Sequence, residues 1–388
     1  MSMQLTEDQE SIREAVERIC FGFEDDYWLD HDDTGEFPEE FYHAMADGGW
    51  LGIAMPEEYG GAGLGVTEAS IMMHTVAKTR GAMSAASAIH MNIFGPHPIS
   101  VFGNEEQKQR WIPDLVQGKY KSCFGVTEPN SGLNTAALQT RADRTNNGWV
   151  VNGRKIWTST AQVASKIMLI ARTTPQEDCA KPIDGLSLFF TDLNRDYCDV
   201  RQIPKMGRKA VDSNEIFIDG LPIPKEDLIG EEGKGFRYLL HSLNPERILV
   251  GLEAIGIGQQ AIDRASQYAK DRVVFNRPIG QNQGIQHPLA ESWMELEAAH
   301  LMAMHAAKLY DEGVECGAQA NAAKYLGAEA GFKACTQAIM THGGMGYAKE
   351  FHVERLLREV MIARIAPVSP QMILNYISER VLELPRSY

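Results

Sequence analysis

Apolar positions recur with a helical period from Thr6 to about Tyr120, where turn clusters such as Pro56-Glu-Glu-Tyr-Gly-Gly61 and Gly63-Leu-Gly65 make short breaks. This pattern predicts an N-terminal helical domain over residues 1–120. Around Lys121 the texture changes to short runs rich in β-branched and aromatic residues, at 122–126, 148–157, 166–173, 186–192 and 214–220, separated by Asn-Gly, Pro and Asp clusters. These predict a central β-domain over 121–232. Within it, Asn152-Gly153 lies between Trp149-Val-Val151 and Lys155-Ile-Trp157, a signal for a two-residue hairpin turn. After Gly233 the helical texture returns. Between Ile285 and Tyr310, the residues Leu289, Trp293, Leu296, His300 and Met304 recur at steps of four, three, four and four, which predicts one apolar helix face. A C-terminal helical domain over 233–388 completes an α+β chain of three parts, with no internal repeat or low-complexity tract.

Composition narrows the classes of function. At 388 residues and ~150 residues per domain, roughly two to three domains are expected. With 44% hydrophobic and 23% charged residues the chain has the material of ordinary globular cores. The 37 basic against 52 acidic side chains leave −15, the wrong sign for a protein that tracks nucleic-acid phosphates. No apolar run approaches the ~18 residues of a membrane span. The acidic amphipathic start has neither signal-peptide nor transit-peptide composition, so an intracellular, cytoplasmic protein is expected. Six scattered cysteines without a CxxC pair suggest neither a zinc site nor a disulfide framework, and no metal is expected.

Four segments carry groups suited to chemistry. Phe124-Gly-Val-Thr-Glu-Pro-Asn-Ser-Gly-Leu-Asn134 runs from a β-segment into a polar loop that can offer backbone N–H groups and a hydroxyl to a ligand, or simply turn the chain. In Asn244-Pro-Glu-Arg247, Asn can cap and Pro can occupy a first helical turn, so that a helix starts or kinks there and Glu246 complements the helix dipole. Thr341-His-Gly-Gly-Met-Gly-Tyr347 permits close backbone approach but does not follow the GxGxxG dinucleotide pattern. Ala366-Pro-Val-Ser-Pro-Gln371 predicts a final helix capped by Ser369 with Pro370 at its first position. No GxSxG, HExxH or Walker pattern is present.

Read in order, the chain resembles the acyl-CoA dehydrogenases over essentially its whole length. The resemblance is carried by residues 37–65 (FPEEFYHAMADGGWLGIAMPEEYGGAGLG), 102–119, 124–129 (FGVTEP), 151–159 (VNGRKIWTS), 271–283 (DRVVFNRPIGQNQ) and 342–359. It implies a helical domain, a β-domain and a C-terminal four-helix bundle that enclose FAD beside a CoA thioester in a homotetramer. It implies that Phe124, Val126, Thr127, Gly132, Trp157 and Ser159 hold the flavin ring. Arg272, Phe275, Gln283, Gly343 and Gly344 match positions that reach the FAD of a neighbouring subunit, and Ser369 and Gln371 match C-terminal FAD contacts. Leu133 stands where the family usually has a Ser on the FAD pyrophosphate, and Met340 where a Gln bonds the neighbouring FAD.

The implied reaction takes an α-proton to a base and the β-hydrogen, as hydride, to the flavin. Many members carry the base in a C-terminal Tyr-Glu-Gly-Thr, but alignment from Arg358-Glu359 puts Pro367 at that Glu and Ser369 at that Thr. A smaller subset, isovaleryl-type and long-chain-type, carries a Glu just before an Arg on the helix opening the last domain. Asn244-Pro-Glu-Arg247 matches it, which implies Glu246 as base with Asn244 and Arg247 as acyl-CoA contacts, and branched or medium to long acyl chains. Pro367 lacks the backbone N–H that helps polarise the thioester in relatives, leaving Val368 N–H or a flavin ribityl hydroxyl for that task. Electrons are expected to pass to an electron-transferring flavoprotein. The competing readings are an oxygen-using oxidase or monooxygenase of the same fold, and a catalytically silent acyl-CoA-binding homologue.

Overall fold

The structure, a computed structural model, describes residues 5–387. Seven α-helices come first: α1 (Glu7–Cys20), α2 (Asp25–Thr34), α3 (Glu39–Asp47), α4 (Val66–Lys78), α5 (Ala82–Phe94), α6 (His97–Phe102) and α7 (Glu105–Val116). Strands follow: β1 (Ser122–Gly125), β2 (Arg141–Thr145), β3 (Gly148–Ser159), β4 (Lys166–Arg172), β5 (Leu186–Asp192), β6 (Cys198–Gln202), β7 (Ser213–Pro224) and β8 (Leu228–Ile229). The long α8 (Gly235–Asp271) leads through a two-stranded ribbon, β9 (Val273–Val274) and β10 (Arg277–Pro278), to α9 (Gln283–Asp311), α10 (Gly317–His342), α11 (Val353–Ile365) and α12 (Pro370–Arg380).

The strands form one sheet in the order β6-β7-β3-β2-β4-β5-β8, with β1 added parallel to β4. Strand periodicity separates two cores. Ile167, Leu169 and Ala171 of β4 join Trp149, Val151, Phe189 and Ile216 on one face. Met168 and Ile170, with Leu188 and Phe190 of β5, turn the other way onto Ile99, Trp111 and Leu115 of the N-terminal helices. The sheet is therefore apolar on both faces at its centre, which fixes the register of β4 and seats the β-domain against α6 and α7.

A third core joins the N-terminal helices to the C-terminal bundle of α8, α9, α10 and α11. α8 and α10 approach closely through small residues: a Cβ on Gly331 would lie 2.4 Å from the Ala254 carbonyl oxygen, and one on Gly327 2.5 Å from that of Gly251. Across the domains, Asp311 at the end of α9 accepts from the Val66 and Thr67 N–H groups at 2.7 and 2.8 Å, so one helix caps the start of another.

Three sequence expectations are corrected. Asn152-Gly153 is not a turn: β3 runs straight through it, with an irregularity in its pairing to β7 there. The hairpin closes instead at Asn146-Asn147, where Thr145 pairs with Gly148. Asn152 serves as an acceptor for the Gly220 N–H at 2.9 Å, and Gly153 is needed because a Cβ would meet Thr140 Oγ1 at 2.5 Å. Of the two readings of Asn244-Pro245, a start or a kink, the start is excluded: α8 begins at Gly235 and carries Pro245 inside it. Finally, Trp293 is 56% exposed, whereas Leu289, Leu296 and Met304 of the same predicted stripe are buried. At the C-terminus Ser369 does cap α12, its hydroxyl accepting from Met372 N–H at 3.3 Å, and Ala366–Pro367 is a cis peptide.

Candidate active site

The continuous α8 places Glu246 and Glu253 seven positions apart, two turns along one face. Across from them α5 carries His90, whose Nδ1 lies 2.7 Å from Glu253 Oε1. Glu246 is half-buried. Burial raises its carboxyl pKa to about 7; the nearby positive charges of His90 and Arg247 pull the other way, and Glu253 adds to the rise. For His90, burial opposes the charged ring, but Glu253 and then Glu246 outweigh it and hold the imidazole pKa above its ordinary value. A half-buried carboxylate that titrates near neutrality can accept a proton from carbon or hydroxyl at physiological pH.

Arg247, beside Glu246 in sequence, is held by Asn244. Its Nη1 donates to Asn244 Oδ1 at 2.9 Å, and Asn244 Nδ2 contacts Cys316 Sγ at 3.9 Å. Arg247 lines a cleft of about 250 Å³ with Asn321, Val368, Tyr376, Arg380 and Arg386. The Val368 carbonyl accepts from the buried Lys324 Nζ at 2.6 Å, which fixes the segment that follows Pro367.

The β-domain assembles a second surface. Phe124 lies in β1, Val126 and Thr127 open the following loop, and Trp157 and Ser159 end β3; Ile156 N–H donates to Thr127 O at 2.9 Å and draws the two segments together. The loop is anchored by a buried ion pair absent from the sequence expectations. Lys155 Nζ lies 2.8 Å from Glu128 Oε1 and 3.1 Å from Val126 O, and Glu128 also accepts from the Gln139 and Thr140 N–H groups at 2.7 and 3.0 Å. Burial lowers the Lys155 pKa to about 8 against the opposing pull of Glu128. Trp157 is 57% and Leu133 59% exposed, and Gly132, at φ 47°, has open space where a Cβ would point. An uncovered indole beside a hydroxyl and an open loop suits a flat apolar ring with polar edges, so these residues fit FAD.

The remaining predicted cofactor residues lie elsewhere on the chain. Arg272 and Gln283 flank the β9–β10 ribbon, Phe275 lies in its turn, and Met340, Gly343 and Gly344 lie at the end of α10. Tyr268 stacks on His342 with ring centroids 4.2 Å apart and joins these two groups. All six are exposed in the single chain, Phe275 to 93%. Ser369 and Gln371 begin α12, on the side of the Arg247 cleft. Sequence reading missed His90, Glu253, Lys155, Glu128 and Arg208, because no local motif marks a pair formed across 163 positions, as His90 and Glu253 are. Among the described residues no group of three or more His, Cys, Asp or Glu could hold a metal, and no helix is long and apolar enough to cross a membrane.

Helical layers around a β-domain, a half-buried near-neutral carboxylate on α8 and an uncovered aromatic–hydroxyl surface together define a flavin-type dehydrogenase scaffold. Models of the acyl-CoA dehydrogenase N-terminal, middle and C-terminal domains match residues 6–119, 123–221 and 233–382. An acyl-CoA dehydrogenase of Mycobacterium bovis is 34% identical over 99% of this chain and 98% of its own length. Among solved structures, the glutaryl-coenzyme A dehydrogenase glutaryl-CoA complex superposes with TM-score 0.94 at 28% identity, covering 100% of this chain and 98% of that one. Butyryl-CoA dehydrogenase from Megasphaera elsdenii gives 0.93 at 28% identity, covering 98% and 100%. The chain belongs to the acyl-CoA dehydrogenase family, FAD-dependent oxidoreductases acting on CH–CH bonds.

Proposed function

We propose that this protein converts an acyl-CoA thioester to the trans-2-enoyl-CoA, with Glu246 as the base that takes the α-proton. The observation that carries this reading is the half-buried Glu246 carboxyl, two turns along α8 from the Glu253 that pairs with His90 of α5, and raised to about 7. Bound FAD supplies the acceptor for the β-hydrogen. Thr127, Trp157 and Ser159 would hold its ring, with Phe124, Val126, Gly132 and Leu133 as further cofactor contacts. Arg247 and Asn244, held together at 2.9 Å, orient the thioester near the mouth of the cleft. An incoming acyl chain displaces water from Glu246, which strengthens it as a base. Pro367 offers no N–H to the thioester carbonyl, so Val368 N–H or a ribityl hydroxyl serves there.

The exposed Phe275, Trp293 and Met340 support burial between subunits of a homotetramer, in which Arg272, Phe275, Gln283, Met340, Gly343 and Gly344 reach a neighbour's FAD. Ser369 and Gln371 close the same cofactor site from α12. Electrons then leave to an electron-transferring flavoprotein, and the protein works in the cytoplasm.

The test is an anaerobic visible-spectrum titration of the purified holoprotein with straight, branched and medium to long acyl-CoAs. Loss of the oxidised-flavin band supports the reading. A flavin that stays oxidised with every thioester, in a protein that binds them, defeats it.

A further inference from the structure

Arg208, on the β6–β7 connection, is a cation without a carboxylate partner among the described residues. The backbone there takes φ 54°, a conformation that non-glycine residues seldom adopt. The side chain reaches from this bend toward three hydroxyls: Nη1 donates to Ser87 Oγ at 3.2 Å, and Nη2 donates to Ser159 Oγ at 3.0 Å and to Ser213 Oγ at 3.2 Å. Ser87 and Ser213 are buried and Arg208 itself is half-buried. Among the described residues no carboxylate comes within ion-pair distance of the guanidinium; Glu253, Asp212 and Glu359 act on it only through space. Each serine oxygen accepts from Arg208, so each O–H proton remains available to donate outward.

In the dehydrogenase reading, an acyl chain that runs from Glu246 along α8 toward the His90–Glu253 pair ends beside this cluster. Ser87 lies one turn before His90 on α5, and Arg208 and Glu246 both act electrostatically on His90. From Glu246 to Glu253 the wall of α8 rises about 10 Å. The far end of that wall carries the His90–Glu253 pair and the Arg208–serine cluster, where a plain fatty acyl chain would press a methyl end against charged groups that it cannot satisfy. A guanidinium with convergent hydroxyl donors is instead the donor set that binds a carboxylate.

We propose that Arg208, with Ser87 and Ser213, binds a terminal carboxylate on the acyl chain, so that the preferred substrate is the mono-CoA thioester of a short dicarboxylic acid. This rests on the dehydrogenase reading above, in which Ser159 also serves the cofactor and Glu246 the α-proton.

The experiment uses the FAD-loaded protein and compares, at equal carbon number, the mono-CoA thioesters of the four-, five- and six-carbon dicarboxylic acids with the corresponding straight-chain acyl-CoAs. Flavin reduction gives kcat/KM, and calorimetry gives affinity. The expected result is a preference for a dicarboxylic thioester of roughly 10- to 100-fold, the worth of a charge-assisted contact. In Arg208→Met this ratio collapses toward one, and in Arg208→Lys it is partly restored. Preference for the uncharged chain, or a ratio unchanged in Arg208→Met, overturns the inference and leaves the dehydrogenase reading standing. An equal loss for both classes assigns Arg208 to the cofactor and also overturns it. If neither class reduces the flavin, the dehydrogenase reading fails, and equal affinity of the two classes by calorimetry would show that the carboxylate site fails with it.

Discussion

His90 on α5 and Glu253 on α8 form an ion pair of 2.7 Å that bridges the N-terminal and C-terminal helices along the wall that also bears Glu246. The pair places a positive charge near Glu246 and a negative one two turns away, so it adjusts the candidate base as well as joining two layers. The first two predictions follow from it.

Glu246→Gln removes the proton acceptor while preserving shape. It should keep FAD and lower the rate of flavin reduction by acyl-CoA by about 10²–10⁴-fold, the usual contribution of a positioned base. Stopped-flow reduction, with the FAD content measured alongside, checks this; an undiminished rate would remove Glu246 from the mechanism.

The pH dependence has a definite sign. A base must be deprotonated to act, so kcat/KM should rise with pH through about 7. His90→Gln deletes a charge that lowers the Glu246 pKa, and the rising limb should move to higher pH; a shift downward contradicts the electrostatic role. Stability should run the other way. The folded carboxyl binds its proton more tightly than the unfolded one, so this group's contribution falls as pH rises from about 4.5 to 7. Glu246→Gln should therefore be more stable than the parent at pH 8, by an amount on the order of 1–3 kcal/mol, in urea titrations.

Lys155→Met leaves Glu128 buried without its cation. Breaking a buried pair from one side costs about 3–5 kcal/mol. Since Glu128 and Lys155 together hold the 126–140 loop, the FAD content of the purified variant should fall with the denaturation midpoint. Retention of both would make the pair incidental.

Leu133→Ser restores a hydroxyl beside the proposed pyrophosphate site. One added hydrogen bond, on the order of 1 kcal/mol, should tighten FAD roughly fivefold. Reconstitution of the apoprotein followed by fluorescence measures it, and an unchanged Kd would place Leu133 away from the cofactor.

Asp311→Ala strips the acceptor from the first turn of α4. A loss of about 1–2 kcal/mol is expected, with faster amide exchange at Val66 and Thr67, where the two N–H groups lose their partner. Protection unchanged at those amides would show that another group caps the helix.

The sequence by itself determined the helix, strand and helix texture, the Ser369 cap and the family, because periodicity, capping chemistry and motif order are local or linear properties of the chain. It misplaced the hairpin of β2 and β3, since the turn preference of Asn152-Gly153 is weak beside the pairing of a twelve-residue strand with β7. It left a helix start or a kink open at Pro245, and only the structure excluded the start, because packing of α8 against α10 and α4 carries the helix through the missing hydrogen bond. Only the tertiary structure brought His90 to Glu253, Lys155 to Glu128 and Arg208 to three serines from three different elements. Charge pairing and desolvation depend on distance through space, and the folded packing of helix and sheet sets those distances.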